Sequence, residues 1–275
     1  MLPFFKKCRK NNVYHNVRRE WFMFKDEYQA VCSAGAGKSN LLKTNPLGYV
    51  VSSLVAGMFI SFGSFVAFVL GSVISAGDVA SWTKAVQAFA FSSALSLVVM
   101  AGAELFTGNN FVMASAALRK KVTWAETVKL WIVCWIGNWI GSLICVAAFK
   151  LTGIPTGDTG AYFATIAEGK VGLAPVNLLI RAILCNILVC LAVWCGTKMK
   201  TESGKLIMIF WCIFVFMVCG FEHSIANMSI EGVALFNGDI AVGSYLYSVL
   251  MATVGNMIGG IVFVALPYHL ISKEV

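Results

Sequence analysis

Six long apolar stretches, joined by short polar connectors, dominate this sequence of 275 residues. An α-helix needs about 20 consecutive apolar residues to cross the hydrocarbon core of a bilayer, and each stretch is long enough. The stretches are too long for the strands of a membrane β-barrel, and they lack the alternation of polar and apolar residues that those strands show. The sequence therefore predicts an all-α membrane protein with six transmembrane helices, in stretches 46–75, 85–118, 124–150, 175–197, 205–236 and 241–272.

The composition excludes a soluble protein. Hydrophobic residues make up 59% of the chain and charged residues only 12%, which is about half the charged fraction of a typical soluble domain. A disordered chain is excluded because it would have few apolar residues and many charges. The six stretches also leave no segment for a sizeable soluble catalytic domain, so we expect that the protein is not an enzyme.

The net charge of +8 is concentrated on one side of the predicted membrane. If the N-terminus is cytoplasmic, 17 of the 21 Lys and Arg residues lie in cytoplasmic segments, as the positive-inside rule requires. We therefore predict a multi-pass protein of the cell (inner) membrane with both termini in the cytoplasm. Residues 1–45 form a basic cytoplasmic N-terminal segment, whose position beside the membrane favours anionic lipid over nucleic acid as a partner. We find no apolar run typical of a cleaved signal peptide at its start.

Two motifs occur twice at the same separation. Gly-x-Glu-x-x-x-x-Asn covers Gly102–Asn109 and Gly220–Asn227, and Gly-Asn-x-Ile-Gly covers Gly137–Gly141 and Gly255–Gly259. The two copies of each motif are 118 residues apart. Two distinct motifs at one offset indicate an internal repeat.

The first repeat, 46–160, and the second repeat, 161–275, each contain three of the predicted helices. Because three is an odd number, the second copy crosses the membrane in the opposite direction, as in the inverted repeats of many channels and transporters. The stretch 85–118 has 34 residues, more than one straight crossing needs. We therefore predict that helices two and five are broken and that the path of a permeating species lies between the repeats.

Glu104 and Glu222 lie deep within apolar stretches. A charged side chain there costs about 3 kcal/mol or more unless it is paired or hydrated, so an intramembrane acid has a structural or a functional role. We expect each glutamate to accept hydrogen bonds from backbone N–H groups that are freed at the helix break; direct contact with a permeating species is the alternative. The half-helices that follow begin near Asn109 and Asn227, and their positive ends favour an anion.

His223 is the only histidine deep inside an apolar stretch, and the matching residue of the first repeat is Leu105. A lone buried histidine is often a satisfied core residue. Beside Glu222 and a helix break, we assign it to the permeation path, where it can donate a hydrogen bond or a proton to an anion. Lys170, judged from its surroundings alone, is a solvated loop residue on the outer side. Asn186 is a buried amide, and the Gly-Asn motif is expected to let helices pack closely.

The nine cysteines indicate no metal site. None forms a Cys-x-x-Cys pair, and Cys219 with His223 is not enough to bind a metal, so we interpret the thiols as small apolar residues at helix contacts. Gly35–Ser39 is similar to a phosphate-binding loop but lacks its glycine spacing and its preceding strand. We expect neither a metal nor a cofactor.

Four segments resemble the formate/nitrite transporter family, namely Glu104–Thr107, Asn186–Trp194, Gly220–Met228 and Gly255–Gly260. The resemblance covers about residues 40–270, and the Phe-Glu-His-Ser-Ile-Ala-Asn-Met segment is its most specific part. Within the family, the chain looks most similar to the branch of bacterial hydrosulfide channels. Residues 1–22 have no counterpart in the family, so Met23 is an alternative start.

The resemblance implies a homopentamer of aquaporin-like protomers, each with its own pore. It implies that Leu105, Phe106 and Thr107 form a mobile loop at the first helix break, and that Lys170 faces the central His223. The implied constrictions are an outer one of Phe91 and Phe216 and an inner one of Leu95, Leu105 and Val189.

These features together predict a membrane channel or transporter for a small monovalent anion or its conjugate acid. Hydrosulfide, or neutral hydrogen sulfide, is the best candidate, with formate and nitrite as further substrates. The alternative is a dedicated formate or nitrite channel without substrate protonation. A membrane enzyme or a structural scaffold would leave the buried glutamates, the histidine and the helix breaks unexplained.

In the predicted mechanism, a lysine and the half-helix dipoles attract the anion, apolar rings exclude a hydrated ion, and a histidine binds and protonates it. The expected partners are small anions, membrane lipid and further copies of the chain, without nucleic acid. The residues predicted for the permeation path and central site are His223, Lys170, Glu222, Asn186, Asn227 and Thr107, with support of the helix break from Glu104 and Asn109.

Overall fold

The structure, a computed structural model, describes residues 24–273, and its regular secondary structure in that range is helical. A 3₁₀ turn, Ala80–Trp82, precedes the third helix, and a π-helical segment, Ile261–Ala265, joins the last two. The α-helices are α1 Lys25–Thr44, α2 Pro46–Ser75, α3 Thr83–Ala101, α4 Phe106–Leu118, α5 Trp124–Leu151, α6 Gly157–Val171, α7 Pro175–Lys198, α8 Glu202–Val218, α9 Ser224–Asn237, α10 Val242–Gly260 and α11 Leu266–Ile271. Most of the predicted basic N-terminal segment, residues 1–23, lies outside the described residues, as does the alternative start at Met23.

Five helical segments are long and apolar enough to cross a membrane, namely Pro46–Ser75, Ala80–Ala101, Trp124–Leu151, Pro175–Lys198 and Val242–Ile271. They correspond to five of the six predicted stretches, so the prediction of an all-α, multi-pass membrane protein is confirmed. Helix α8 lies in the remaining stretch and has 17 residues. Large apolar side chains such as Leu47, Val73 and Phe89 are exposed on the outside, as expected of a surface that faces lipid.

Local sequence explains where the long helices begin. Pro46 and Pro175 each occupy the first turn of a helix, where the missing N–H is harmless. Asn45 caps α2 by accepting a hydrogen bond from the N–H of Gly48 at 2.9 Å. Thr123 and Glu126 form a capping box at the start of α5, which satisfies two otherwise free N–H groups.

Two short helices, α4 and α9, are the most completely buried elements. Every residue of α4 up to Ala117 and every residue of α9 up to Ala234 is buried. Each follows a longer helix after a short non-helical segment, which contains Gly102 in one case and Gly220 in the other. These glycines have φ angles of 77° and 68°, which glycine adopts without a steric cost.

The repeated Gly-Asn motif brings helices into close contact. A Cβ atom at Gly141 would lie 2.0 Å from the carbonyl oxygen of Leu54, and one at Gly259 would lie 2.3 Å from that of Ile183. Because neither position has room for a side chain, α5 packs directly on α2, and α10 packs directly on α7. The expected close packing at this motif is confirmed.

Helices α1 and α6 lie outside the six apolar stretches, and the position of Lys170 needs correction. Lys170 lies in the last turn of α6, not in a loop. In α6, only one face is buried, through Gly160, Phe163 and Ala167. A short helix with a narrow apolar face and many polar residues leaves a weak signal in the sequence.

Candidate functional site

The non-helical segment between α3 and α4 is held by Asn138 of α5. Its Nδ2 donates hydrogen bonds to the carbonyl oxygens of Ser53 and Glu104, at 2.7 and 2.9 Å. Its Oδ1 accepts a hydrogen bond from the N–H of Phe106 at 2.9 Å. Asn138 is completely buried, so it satisfies backbone groups that have no access to water.

The segment between α8 and α9 is held in a similar way by Asn256 of α10, which lies 118 residues after Asn138. Nδ2 of Asn256 donates to the carbonyl oxygens of Ala182 and Glu222, at 2.7 and 2.9 Å, and Oδ1 accepts from the N–H of Ser224 at 2.9 Å. The expectation that Glu104 and Glu222 accept the freed N–H groups is therefore wrong. A carboxamide takes this role because it donates and accepts at once, whereas an ionised carboxylate only accepts.

The carboxylate of Glu222 instead forms a buried ion pair with Lys170. Oε2 accepts hydrogen bonds from Nζ of Lys170 at 2.7 Å and from Nδ2 of Asn227 at 2.8 Å, and Lys170 also donates to Oδ1 of Asn227 at 3.0 Å. The exposed fraction of the side chain is 3% for Glu222 and 16% for Lys170. The cation is therefore accessible, while its partner is enclosed.

Glu104 forms the corresponding ion pair with Lys38 of α1, a residue that the sequence analysis missed. Nζ of Lys38 lies 2.6 Å from Oε1, and Nδ2 of Asn109 donates to Oε2 at 2.9 Å. The sequence contains one indication that Lys38 is equivalent to Lys170. Each lysine follows a glycine and precedes a helix that begins with proline. The distances along the chain differ, 66 residues to Glu104 against 52 to Glu222, so the lysines do not share the offset of 118.

His223 lies at the N-terminus of α9, and both of its ring nitrogens have partners. Nδ1 accepts a hydrogen bond from the N–H of Ala226 at 3.1 Å, and Nε2 lies 2.9 Å from Oγ1 of Thr107. Because Nδ1 is an acceptor, the neutral ring carries its hydrogen on Nε2 and donates it to Thr107. The ring is stacked on Phe216, with centroids 6.0 Å apart. The starts of α4 and α9 thus meet at a His–Thr hydrogen bond.

Two cavities lie next to His223. The larger, with a volume of about 290 Å³, has Lys170, Glu222 and Arg181 in its wall, and we call it the polar vestibule. The smaller cavity, of about 10 Å³, is apolar, and its wall includes the five residues implied to form constrictions, Phe91, Leu95, Leu105, Val189 and Phe216. Both walls contain Phe216 and His223, so these two side chains separate the polar vestibule from the apolar cavity.

Asn186 connects the two halves of the site. Its Nδ2 lies 2.6 Å from the carbonyl oxygen of Asn256, 3.3 Å from that of Thr107 and 3.1 Å from Oδ1 of Asn110. Thr107 is completely buried, and Phe106 is nearly so. Thr107 is therefore held at both its side chain and its carbonyl oxygen.

Within residues 24–273, no group of three or more His, Cys, Asp and Glu side chains is arranged to hold a metal ion. The cysteines in this range have free thiols, and Sγ of Cys134 donates to the carbonyl oxygen of Glu104 at 3.2 Å. The groups that the site does offer are ammonium groups, a ring N–H and two helix N-termini, which are the groups that bind small anions.

Known proteins provide a comparison for this geometry. Residues 25–270 match the family model described as formate/nitrite transporter. The chain is 38% identical over 259 residues to a probable formate transporter of Methanothermobacter thermautotrophicus, covering 86% of this chain and 92% of that protein. The solved structure of an FNT family ion channel superposes with a TM-score of 0.85 at 28% identity, over 91% of this chain and all of that chain. A pentameric formate channel with formate bound superposes with a TM-score of 0.69 at 29% identity, over 83% of this chain and 98% of that chain.

Proposed function

The chain belongs to the formate/nitrite transporter family, and from that premise we propose that it conducts a small monovalent anion, or its conjugate acid, across the cell membrane. Hydrosulfide, or neutral hydrogen sulfide, is the substrate that the sequence resemblance favours, with formate and nitrite as further substrates. The observation that carries the proposal is the position of His223 between the polar vestibule with Lys170 and the apolar cavity.

The proposed architecture has two inverted three-helix repeats, 46–160 and 161–275, in an aquaporin-like protomer. In it, α3 with α4 and α8 with α9 are the broken second and fifth transmembrane helices. The support comes from Asn138 and Asn256, each of which makes three backbone hydrogen bonds. In each set, two of the three bonded groups, on Glu104 and Phe106 or on Glu222 and Ser224, are also related by the offset of 118 residues. Helix α1, which precedes the first repeat, and helix α6, at the start of the second, each bring one lysine to a helix break.

Lys170 attracts the anion into the polar vestibule. Its ammonium group has three N–H donors, and Glu222 and Asn227 occupy two of them, which leaves one for an anion. The N-termini of α4 and α9 add positive potential, each contributing about 0.3–1 kcal/mol. Lys38 has the equivalent role at the opposite end of the path, where it is paired with Glu104.

His223 binds the anion through its Nε2–H, in place of Oγ1 of Thr107. The anion then lies between the vestibule and the apolar constriction, where a hydrated ion does not fit. To donate a proton as well, the ring must first take up a proton at Nδ1 and release the N–H of Ala226. The hydrogen bond that Nδ1 accepts from the N–H of Ala226 therefore favours the second candidate function, a dedicated formate or nitrite channel without substrate protonation.

The proposed assembly is a homopentamer in the inner membrane with both termini in the cytoplasm. Two observations support it. The pentameric formate channel has the same fold over 83% of this chain, and 17 of the 21 Lys and Arg residues lie in the segments assigned to the cytoplasm. Membrane lipid covers the remaining apolar surface.

Flux into liposomes, measured with hydrosulfide, formate and nitrite at several pH values, tests the proposed function. His223→Asn keeps a hydrogen-bond donor and a helix cap but has no titratable group. If the ring donates a proton, this variant loses pH-dependent hydrosulfide and formate flux and keeps the flux of the bare anion. If the ring donates only a hydrogen bond, its pH profile matches that of the wild type. Lys170→Ala lowers the flux in both cases, and a wild-type protein that conducts none of the three anions would overturn the proposal.

A further inference from the structure

Glu231 is a third buried glutamate, and the proposed function does not use it. It lies in α9, one turn after Asn227, and is completely buried. Its Oε1 accepts a hydrogen bond from Oγ of Ser248 in α10 at 2.8 Å. Its Oε2 has no hydrogen-bond partner among the described residues.

The carboxyl group of Glu231 has fewer partners than those of the two glutamates at the helix breaks. Glu104 and Glu222 each accept hydrogen bonds from a lysine and an asparagine, whereas Glu231 forms no ion pair within residues 24–273. An ionised carboxylate with a bare oxygen in an apolar interior lacks the hydration that it has in water. Burial and the missing partner therefore favour the neutral form of Glu231, which carries a proton.

The first repeat shows what packing alone requires at this position. At the offset of 118 residues, Glu231 corresponds to Met113 and Ser248 corresponds to Leu130. Met113 and Leu130 are completely buried, so two apolar side chains fill the equivalent space. The acid and the hydroxyl are thus particular to the second repeat, which also contains the histidine of the site.

The surroundings of α9 connect Glu231 to the polar vestibule. Helices α2 and α4 contact α9 through hydroxyl groups, those of Ser64 and Thr107. The charged and titratable groups around α9 are Lys170 of α6, Glu222 and His223 before the helix, Tyr245 of α10, and Lys150 of α5, which donates to the carbonyl oxygen of Phe236. Asn227 and Ile230 of α9 lie in the wall of the polar vestibule together with Lys170 and Glu222, and Glu231 follows Ile230 directly in the chain.

We propose that Glu231 is a proton-binding site behind the polar vestibule. It holds its proton at neutral pH, so that it adds no second negative charge to that of Glu222 beside Lys170. When Glu231 ionises at alkaline pH, its charge opposes that field and slows the arrival of anions at His223. The part that concerns anions rests on the proposed function, whereas the bound proton does not.

Infrared spectroscopy of the purified protein tests the bound proton without a transport measurement. We expect a carboxylic-acid C=O band at neutral pH that shifts in D₂O and is absent from Glu231→Gln. The ion-paired carboxylates of Glu104 and Glu222 contribute no such band. Absence of the band from the wild type, or its persistence in the variant, would overturn the proposal. If Glu231→Gln does not fold, a double variant, Glu231→Met with Ser248→Leu, takes its place in the experiment. This double variant introduces the two apolar side chains found at the equivalent positions of the first repeat.

Nitrite flux into liposomes tests the effect on the vestibule, because nitrite keeps its single charge from neutral to alkaline pH. For the wild type, we expect the flux to fall about tenfold as a new negative charge appears behind the wall of the vestibule. For Glu231→Gln and for the double variant, we expect the flux at alkaline pH to stay close to the flux at neutral pH. An equal fall in the variants would disprove the link between Glu231 and the vestibule. A wild-type protein without flux of any tested anion would contradict the proposed function, and the infrared band would still decide the proton site.

Discussion

Lys38 and Lys170 each neutralise a glutamate that is almost enclosed. The exposed side-chain fraction is 12% for Glu104 and 3% for Glu222. A carboxylate at such a position keeps its charge only while a cation and further donors surround it, and here an asparagine amide supplies the further donor. Removing one partner of such a pair costs more than the pair itself contributes, because the other charge is left without compensation.

Lys38→Met therefore lowers the stability of the folded protein by about 3 kcal/mol, and it lowers anion flux as well. Adding Glu104→Gln to this variant restores most of the stability, because the uncompensated charge is gone, but the flux stays low. Thermal unfolding in detergent and liposome flux measure the two effects separately.

Lys43→Met is the matched control, because Lys43 is paired with Glu126 at the surface, where 59% of its side chain is exposed. An exposed pair contributes about 0.2–1 kcal/mol, so this variant unfolds close to the wild-type temperature. Equal destabilisation by the two lysine variants would refute the role given to Lys38.

At the scale of single residues, the sequence indicated candidate site residues but not the groups to which they bond. Glu104, Glu222 and His223 are conspicuous because polar groups are rare in apolar stretches. The side chains of Asn138 and Asn256 bond to backbone groups, one of which is a carbonyl more than 70 residues away in each case. A backbone group is the same in almost every residue, so the sequence does not indicate which one is the partner. The length of the stretches therefore predicted helix breaks without showing which groups bond to the backbone there.

At the scale of the helices, direct packing of α5 on α2 depends on glycine. Gly141→Ala places a Cβ atom about 2.0 Å from the carbonyl oxygen of Leu54, so the two helices have to separate. We expect a loss of about 1–3 kcal/mol of stability, as for overpacking in a dense core, measured by thermal unfolding in detergent.

Gly196→Ala in α7 is the control for this prediction, because no atom lies within 4 Å of a Cβ at that position. Alanine has the higher helix propensity, so the control variant is unchanged or more stable by up to about 1 kcal/mol. A Gly141→Ala variant as stable as this control would show that the helices separate without cost.

The helices themselves were predictable to different degrees. An apolar stretch such as 124–150 coincides with a helix, Trp124–Leu151, because a chain in a bilayer must satisfy its backbone groups internally. Helices α1 and α6 do not have to be apolar throughout, since each buries only one face. That is why Lys38 was missed and Lys170 was expected in a loop.

At the scale of the whole molecule, many large apolar side chains are exposed on the exterior of the chain. Some of that exterior is the interface between protomers in the proposed pentamer. We expect purified protein in mild detergent to have the mass of five chains, measured by native mass spectrometry or light scattering with the detergent subtracted. A stable monomer that conducts anions in liposomes would contradict the pentamer and leave the proposed pore in place.

The sequence predicted an internal repeat because each of two different motifs occurs twice, with its copies 118 residues apart. What the repeat could not predict is how the two copies differ. His223 corresponds to Leu105, and Glu231 corresponds to Met113. Such differences arise where each half meets the other or a cavity, and those contacts are set by the three-dimensional arrangement.

The ion-paired lysines have a consequence for how long an anion stays bound. A free ammonium group in a narrow cavity would bind an anion tightly and release it slowly, which would reduce the flux. Because Lys170 already shares its charge with Glu222, and Lys38 shares its own with Glu104, a passing anion competes for each cation with a carboxylate that never leaves. Conduction requires binding that is favourable enough to admit an ion and weak enough to release it. In the proposed pore, the two glutamates limit the time that an anion stays at each lysine, which favours fast turnover over tight capture of the anion.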